Sequence, residues 1–414
     1  MRILHVCTSD DGGAGKAALR ITEACRREGA ESNLLVSVSV QGSKLVQSPT
    51  QGIMHKAVRK VKQAVDYRLM KAWKIDLPYS LNWLDNESIV KYINNSNADI
   101  VNLHWINKSM LSVANIGCIR KPIVWTLHDM WPFTGGCHYA GDCTRYMQQC
   151  CSCPEISSAP HMGVDVSNRL FKKKKKVFGH YPLTAVGPSE WITDCAKKSA
   201  TFQKCKAYTI PYCIDTERYF PIDKLKAREM LRLPQDKPLL LFGAQGGSHD
   251  PRKGYDLLMQ ALNQSSLEDV ELVVFGCGEP EEPEDMPYPV HYVGRLHDDI
   301  SLIMLYNAAD AFIAPSREDN LPNTIMEAMA CGTPCVGFRI GGIPDEIEHM
   351  VTGYLAEPFD TSDLAKGIET VLENHEKMGM AARDKAAREY NMQKVGQQYL
   401  DLYENILSGS KTMN

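Results

Sequence analysis

Ala311-Phe312-Ile313-Ala314 runs into Pro315-Ser316-Arg317-Glu318-Asp319-Asn320-Leu321-Pro322-Asn323-Thr324-Ile325-Met326-Glu327-Ala328-Met329-Ala330-Cys331-Gly332-Thr333-Pro334, and the reading of the whole chain turns on it. Four apolar residues make a buried strand, Pro322 closes an acidic loop, and a helix starts at about Asn323 and stops at Gly332-Thr333-Pro334. One carboxylate then stands in the loop at the C-terminal end of the strand. A second, Glu327, stands about one turn into the helix. Between them lie first-turn amides, which favour a phosphate because they lack intrahelical partners and sit at the positive end of the dipole. Carboxylates accept hydrogen bonds from hydroxyls, so sugars fit on either side of that phosphate. A ligand with hydroxyls, phosphates and hydroxyls in series is a nucleotide sugar. Spacing alone is equally met by a solvated acidic loop ahead of an ordinary amphipathic helix.

Outward from this stretch the pattern repeats. Short apolar runs at 239–242, 272–275, 290–293 and 334–337 alternate with helical segments, as in a parallel α/β sheet. The N-terminal half opens in the same way, with a strand over 2–8, a glycine loop over 10–15, a helix over 16–28 and a strand over 34–40. Further strands follow at 100–103, 123–127 and 183–186. The expected fold class is therefore α/β, with two Rossmann-like doubly wound parallel-sheet domains facing across a cleft. The expected domains are residues 1–209 on the acceptor side, with a Cys-rich insertion at 137–153, and residues 210–390 on the nucleotide-sugar side. A terminal helix within 391–414 is expected to pack back on the first domain.

The 414 residues, 44% of them apolar, suffice for two such cores. No apolar run is long enough to span a bilayer, and Met1-Arg2-Ile3-Leu4-His5-Val6 enters a strand at once without a signal peptide, which reads as a cytoplasmic chain. The net charge of −4 conceals an asymmetry. Residues 1–206 hold 28 Lys and Arg against 16 Asp and Glu, whereas residues 207–414 hold 18 against 34. A basic half implies an anionic partner, and without nucleic-acid motifs that partner is a membrane surface or a phosphorylated acceptor. Arg169 with the lysines 172–176, and Lys56, Arg59, Lys60, Lys62 and Arg68, could dock this half peripherally on the anionic inner face of the membrane, or they are simply solvated helix faces.

Other constellations bear on chemistry. Gly12-Gly13-Ala14-Gly15-Lys16 fails as a phosphate-binding P-loop, because Asp10 holds the first Gly position and Ala17 the hydroxyl position. Its glycines still let backbone approach a ligand, or they serve a turn needing positive φ. Arg252-Lys253-Gly254, ahead of a helix from Tyr255, offers a planar fork and a point charge to a leaving diphosphate, or is a solvated helix start. His128 follows the strand ending in Trp125-Thr126-Leu127, and His104 follows another. A lone His there is commonly a packed or capping residue. No Asp-x-Asp motif occurs to bridge a divalent ion to a diphosphate, so no cofactor is expected for catalysis. Among 14 cysteines, Cys137, Cys143, Cys150 and Cys153 meet the ligand count of a tetrahedral structural zinc site; plain reduced thiols are the other reading.

The segment from Asp319 to Glu327 resembles the acidic-x7-Glu signature of glycosyltransferase family 4, retaining enzymes of the GT-B fold, and the resemblance spans nearly the whole chain. The Asp-Asn-Leu-Pro-Asn variant is similar to a subgroup seen among capsule, colanic-acid and exopolysaccharide transferases. The resemblance implies that Asp319, where the family usually has Glu, holds donor-sugar hydroxyls with help from Glu318, and that Glu327 holds the ribose. It further implies that Asn320, Leu321, Asn323, Thr324, Gly12 and Gly13 line the donor. Arg252 and Lys253 hold the diphosphate, and His128, in a Thr-x-His motif, lies near the donor sugar. Many members carry an earlier Arg where this chain has Ala244-Gln245. The implied activity is transfer of a sugar, without metal and with retention, from a nucleotide-sugar donor to a growing glycan, lipid-linked, in bacterial surface polysaccharide synthesis. A nucleotide-sugar epimerase of the same fold and a non-enzymatic two-lobed sugar-binding protein are the alternatives.

Overall fold

The computed structural model describes residues 1–49, 52–75, 78–154, 156, 164–181, 183–243, 250–279, 288–296 and 298–411. The chain divides into two compact units, residues 1–212 with 392 onward, and residues 213–391.

The first unit is built on seven strands: β1 (Arg2–Ser9), β2 (Glu31–Val38), β3 (Val46–Gln47), β4 (Ile100–Leu103), β5 (Ile123–Thr126), β6 (Leu183–Gly187) and β7 (Lys206–Thr209). All pair in parallel in the order β3-β2-β1-β4-β5-β6-β7. Strands β4, β5 and β6 are buried at every position, as befits strands covered on both faces. Val6, Leu103, Trp125, Phe178 and Phe202 lie in one core cluster on this sheet. The helix Met392–Lys411 packs on the helix Gly12–Arg27. Gly396 makes that approach: a Cβ there would lie 2.7 Å from the Ala24 carbonyl oxygen. From this sheet the Asn102 side-chain amide donates to the Tyr403 hydroxyl of the same helix, at 2.7 Å.

The second unit carries six strands: β8 (Leu239–Gly243), β9 (Glu271–Phe275), β10 (Val290–Gly294), β11 (Ala311–Ala314), β12 (Cys335–Phe338) and β13 (Gly353–Ala356). They too are all parallel, in the order β10-β9-β8-β11-β12-β13. In each sheet the strand order reverses once, between β1 and β4 and between β8 and β11. Chain leaving the C-terminal ends of those strands turns away in opposite directions and opens a crevice, the usual ligand position of doubly wound sheets. The α/β doubly wound architecture is thus as expected.

Three local readings change. The helix of the first unit starts at Gly12 rather than Lys16, so the glycines are its first turn and not a loop. Gly15 is needed there, since a Cβ would stand 2.6 Å from the Ser9 carbonyl. Lys174, read as one of a solvated run, is fully buried and donates to the carbonyls of Trp131 and Thr134. Strands β3, β7 and β13 were absent from the apolar pattern: β3 has two residues, β7 alternates exposure at an edge, and β13 opens on Gly353.

Candidate active site

In the second unit the loop after β11 leads into the helix Asn323–Ala330, whose start follows Pro322 and carries neither a side-chain cap nor an acid in its first turn. An anion therefore meets no carboxylate from that turn. Asp319 is buried in the loop. Its Oδ2 accepts from Lys253 Nζ at 2.7 Å, Arg252 Nη1 stands 3.9 Å away, and its Oδ1 accepts from the Asn320 amide at 3.0 Å. Burial pushes the Asp319 carboxyl up, but the charges and hydrogen bonds of Lys253 and Arg252 outweigh it, so the group lies below its ordinary range and is ionised at neutral pH. Glu318 offers its backbone carbonyl to Arg252 Nη1 at 3.4 Å.

The basic pair is held by its own local structure. Pro251–Lys253 is a 3-10 turn in which the Asp250 side chain accepts from the Arg252 amide, and it ends on Gly254 at φ +69°. A Cβ at Gly254 would lie 1.9 Å from the Pro315 carbonyl, so only glycine allows the turn and the loop to touch. Arg317 fastens the same junction, with its amide on the Arg252 carbonyl at 2.8 Å and its guanidinium bidentate on Asp256 at 2.7 and 2.6 Å. Behind the loop, the Gly342 amide donates to the Asp319 carbonyl at 3.1 Å. Arg252, Lys253, Glu318 and Asp319 are thereby brought together.

Glu327 is buried beneath them and accepts from the Tyr306 hydroxyl at 2.8 Å. Leu321 and Asn320 are buried in the loop, while Asn323 and Thr324 are partly exposed at the helix start. Ala244-Gln245 and Gly246-Gly247 lie outside the described residues. A further carboxylate escaped the reading: Glu346, at the end of the short helix Ile343–Glu346, is fully buried, and no side chain among the described residues donates a hydrogen bond to it. Burial, with the neighbouring Asp319 charge, raises its pKa well above the ordinary glutamate value. The Gly341-Gly342 turn that precedes it was the available signal.

The first unit holds Gly12, Gly13 and His128. Gly12 adopts φ +75° at the helix start, and a Cβ there would meet nothing within 4 Å. His128 is one end of a chain of rings. His5 Nδ1 is 3.0 Å from His104 Nε2, His104 Nδ1 is 2.9 Å from His128 Nε2, and His128 Nδ1 is 2.7 Å from the Tyr212 hydroxyl. Burial lowers all three histidines, His5 to about 3 and His128 to about 4, so at neutral pH each ring carries one N–H. The chain must then run in one direction. His5 Nε2 is buried without a partner, and a bare acceptor there costs less than an orphaned N–H, so the donors point from His5 towards Tyr212. His128 thus donates from Nδ1 to the tyrosine oxygen and accepts at Nε2. Asp10, just before Gly12, is buried and accepts from the Ser39 hydroxyl and from the amides of Val40 and Gln41, tying the end of β1 to the end of β2.

The comparison with known proteins decides what the second site belongs to. The family model for group 1 glycosyl transferases matches residues 237–374, which lie inside the second unit and contain the basic turn, the acidic loop and the helix after it. Residues 237–374 are a group 1 glycosyl transferase domain. Curated relatives match the chain over very different lengths. N-acetyl-alpha-D-glucosaminyl L-malate synthase of Bacillus anthracis is 36% identical over 106 residues, 25% of this chain and only 28% of that protein. Putative colanic acid biosynthesis glycosyl transferase WcaC of Escherichia coli is 23% identical over 426 residues, 96% of this chain and 97% of that one. Among solved structures, Anabaena Alr3699/HepE in complex with UDP-glucose superposes with a TM-score of 0.64 at 17% identity, covering 98% of this chain and 100% of that one. The group 1 glycosyl transferase domain thus sits in a chain of GT-B fold.

Proposed function

We propose that this protein is a retaining, metal-independent glycosyltransferase that moves a sugar from a nucleotide-sugar donor to a growing, lipid-linked glycan in bacterial surface polysaccharide synthesis. The observation that carries this reading is the ionised Asp319 held by Lys253 beside a helix start without acids, at the switch point of the second sheet. An ionised carboxylate accepts from two sugar hydroxyls, and Lys253 keeps two further N–H groups for a phosphate once one is spent on Asp319. Arg252 adds a planar fork. These two cations and the first-turn amides around Asn323 would stabilise the charge that grows on the departing diphosphate. Glu327 would take the ribose, and in the first unit the Gly12-Gly13 turn would serve the acceptor, while His128, both ring nitrogens engaged with His104 and Tyr212, would act by packing. Support from relatives is of the same kind: WcaC is named for colanic acid biosynthesis, and the Anabaena protein was solved with UDP-glucose.

Contact with an anionic membrane surface is part of the proposal. The helix Ile53–Ala72 exposes Ile53, Met54, Val58, Val61 and Tyr67 among basic residues, and Asp66 is its buried residue. Apolar side chains interleaved with Lys and Arg suit the headgroup layer. No helix among the described residues is long and apolar enough to cross a membrane.

The test is a donor screen. UDP-, GDP- and ADP-sugars are incubated singly with the protein and a membrane extract, with and without EDTA. Acceptor-dependent release of nucleoside diphosphate, undiminished by EDTA, is expected. Epimerised nucleotide sugar without acceptor turnover would overturn the transferase, and binding without any turnover would leave a sugar-binding protein.

A further inference from the structure

The Cys-rich segment of the first unit serves none of the chemistry above, and its five cysteines converge. Cys137, Cys143, Cys150, Cys151 and Cys153 line one small cavity together with Tyr79, Gly135 and Arg145. The space left in it is about 20 Å³, room for one water-sized sphere and no organic ligand. Its walls are built for close approach. A Cβ on Gly135 would lie 2.8 Å from Cys150 Cβ, and one on Gly136, at φ +135°, would lie 2.2 Å from the Tyr79 ring. Ser152 takes a left-handed φ of 44° between Cys151 and Cys153, turning the chain back so that Cys150 and Cys153 flank one tight turn. None of these cysteines is joined in a disulfide among the described residues.

An independent observation concerns charge. Lys174 is fully buried, and its ammonium finds carbonyls and the Trp131 ring, 3.9 Å from the centroid, rather than a carboxylate. A buried cation without a matching anion is costly. Thr134, whose carbonyl accepts from Lys174 at 3.1 Å, is part of the cavity wall, so the ammonium stands next to the cavity. Arg145 lines the cavity itself and donates to the Cys151 carbonyl at 2.6 Å. Four thiolates around one divalent ion carry a net charge of −2. Lys174 and Arg145 are the two positive charges that such a centre calls for.

We infer that Cys137, Cys143, Cys150 and Cys153 form a structural site for one thiophilic divalent ion of the zinc type, with Lys174 and Arg145 as its counter-charges. Among the described residues no three His, Cys, Asp or Glu side chains stand as a ready-made ligand set. The ion itself closes the shell, drawing in by side-chain rotation four thiols that already line one cavity and losing four protons to solvent as the thiolates bind. Cys151 stays outside the shell, its carbonyl engaged by Arg145. The site ties Gly135-Gly136 and the segment around 150–153 to the helix Val166–His180, which carries Lys174.

The experiment uses the full chain, purified without chelator under reducing conditions and dialysed against zinc chloride. Elemental analysis is expected to find about one zinc per chain, and cobalt in its place is expected to give the visible bands of a tetrahedral thiolate complex. Cys151→Ser keeps the ion, and the double variant Cys150→Ser/Cys153→Ser loses it. Should the double variant not fold, chelator added to the wild-type chain releases the ion and lowers the Tm by several degrees. A metal-free wild-type chain after dialysis overturns the inference. So does recovery of these cysteines as disulfides, or uptake that Cys150→Ser/Cys153→Ser leaves unchanged.

Discussion

Lys253 Nζ donates to Asp319 Oδ2 across 2.7 Å, joining a turn after β8 to the loop after β11 over 66 residues of sequence. The pair sets the charge state of the proposed donor site. Replacing Lys253 by Ala removes the larger of two charges holding Asp319 ionised and takes one cation from the diphosphate. The turnover rate should fall about 100-fold to 1,000-fold, the loss seen when one preorganised group facing developing charge is removed. Stability should fall by less than the about 3–5 kcal/mol of a fully buried pair, because Arg252 remains nearby and the Lys253 side chain is 23% exposed. Steady-state kinetics and urea unfolding of K253A and K253R check both; a K253A enzyme of wild-type kcat removes Lys253 from the site.

The ring chain predicts an acid limb. Its histidines have folded pKa values below the ordinary 6.5, His5 about 3 and His128 about 4, so the unfolded chain binds more protons between these values. Their contribution to stability is present above pH 6.5 and is lost as pH falls towards 4. Each such group contributes a slope of about 1.4 kcal/mol per pH unit in that window. His5→Phe removes one titrating group and the unpartnered Nε2, so its stability should fall less steeply from pH 6 to 4.5. Denaturant unfolding at several pH values measures the slopes, and parallel curves for variant and wild type would contradict the ring chain.

How much of this was legible in the sequence follows from what each feature needs. Strands β5, β8, β9 and β11 read as near-continuous apolar runs, and β1 and β4 as runs broken by His5 and Asn102, so they could be found. The Gly12 turn was misread because glycine is a poor helix former, yet at a helix start its positive φ is an advantage. Asp319, Arg252 and Lys253 were legible because strand ends and helix starts mark the switch point. His5 was not, since a histidine inside Ile3-Leu4-His5-Val6 is explained only once β1 and β4 are known to be neighbours. Nor was Glu346 legible: nothing local distinguishes a buried carboxyl from one on a solvated helix.

Glu346 gives a prediction of the opposite pH sign. Its folded pKa lies above the ordinary 4.5, so folding favours the protonated acid, and the stability it contributes is present below pH 4.5 and lost as pH rises. Glu346→Gln keeps the shape and removes the charge. The variant should match the wild type near pH 4 and exceed it at neutral pH, with the gap widening by up to about 1.4 kcal/mol per pH unit until the folded value is reached. Thermal unfolding of E346Q from pH 4.5 to 8 tests this. A variant less stable than the wild type at pH 7 would mean that the carboxylate is ionised and paired.

Two glycines with similar backbone angles should respond differently to alanine. Gly254 has φ +69° and Gly12 φ +75°, and both substitutions incur the left-handed penalty of about 1–2 kcal/mol. At Gly12 the added methyl meets nothing within 4 Å, so Gly12→Ala should cost no more than that. At Gly254 the methyl would lie 1.9 Å from the Pro315 carbonyl, and the turn bearing Arg252 and Lys253 must move away from the loop bearing Asp319. Gly254→Ala should therefore lower kcat/KM for donor by at least about 100-fold, the range of a displaced reacting group. It should also lower the Tm by more than Gly12→Ala does. Equal losses from the two variants would show that the contact between turn and loop is not what positions Lys253.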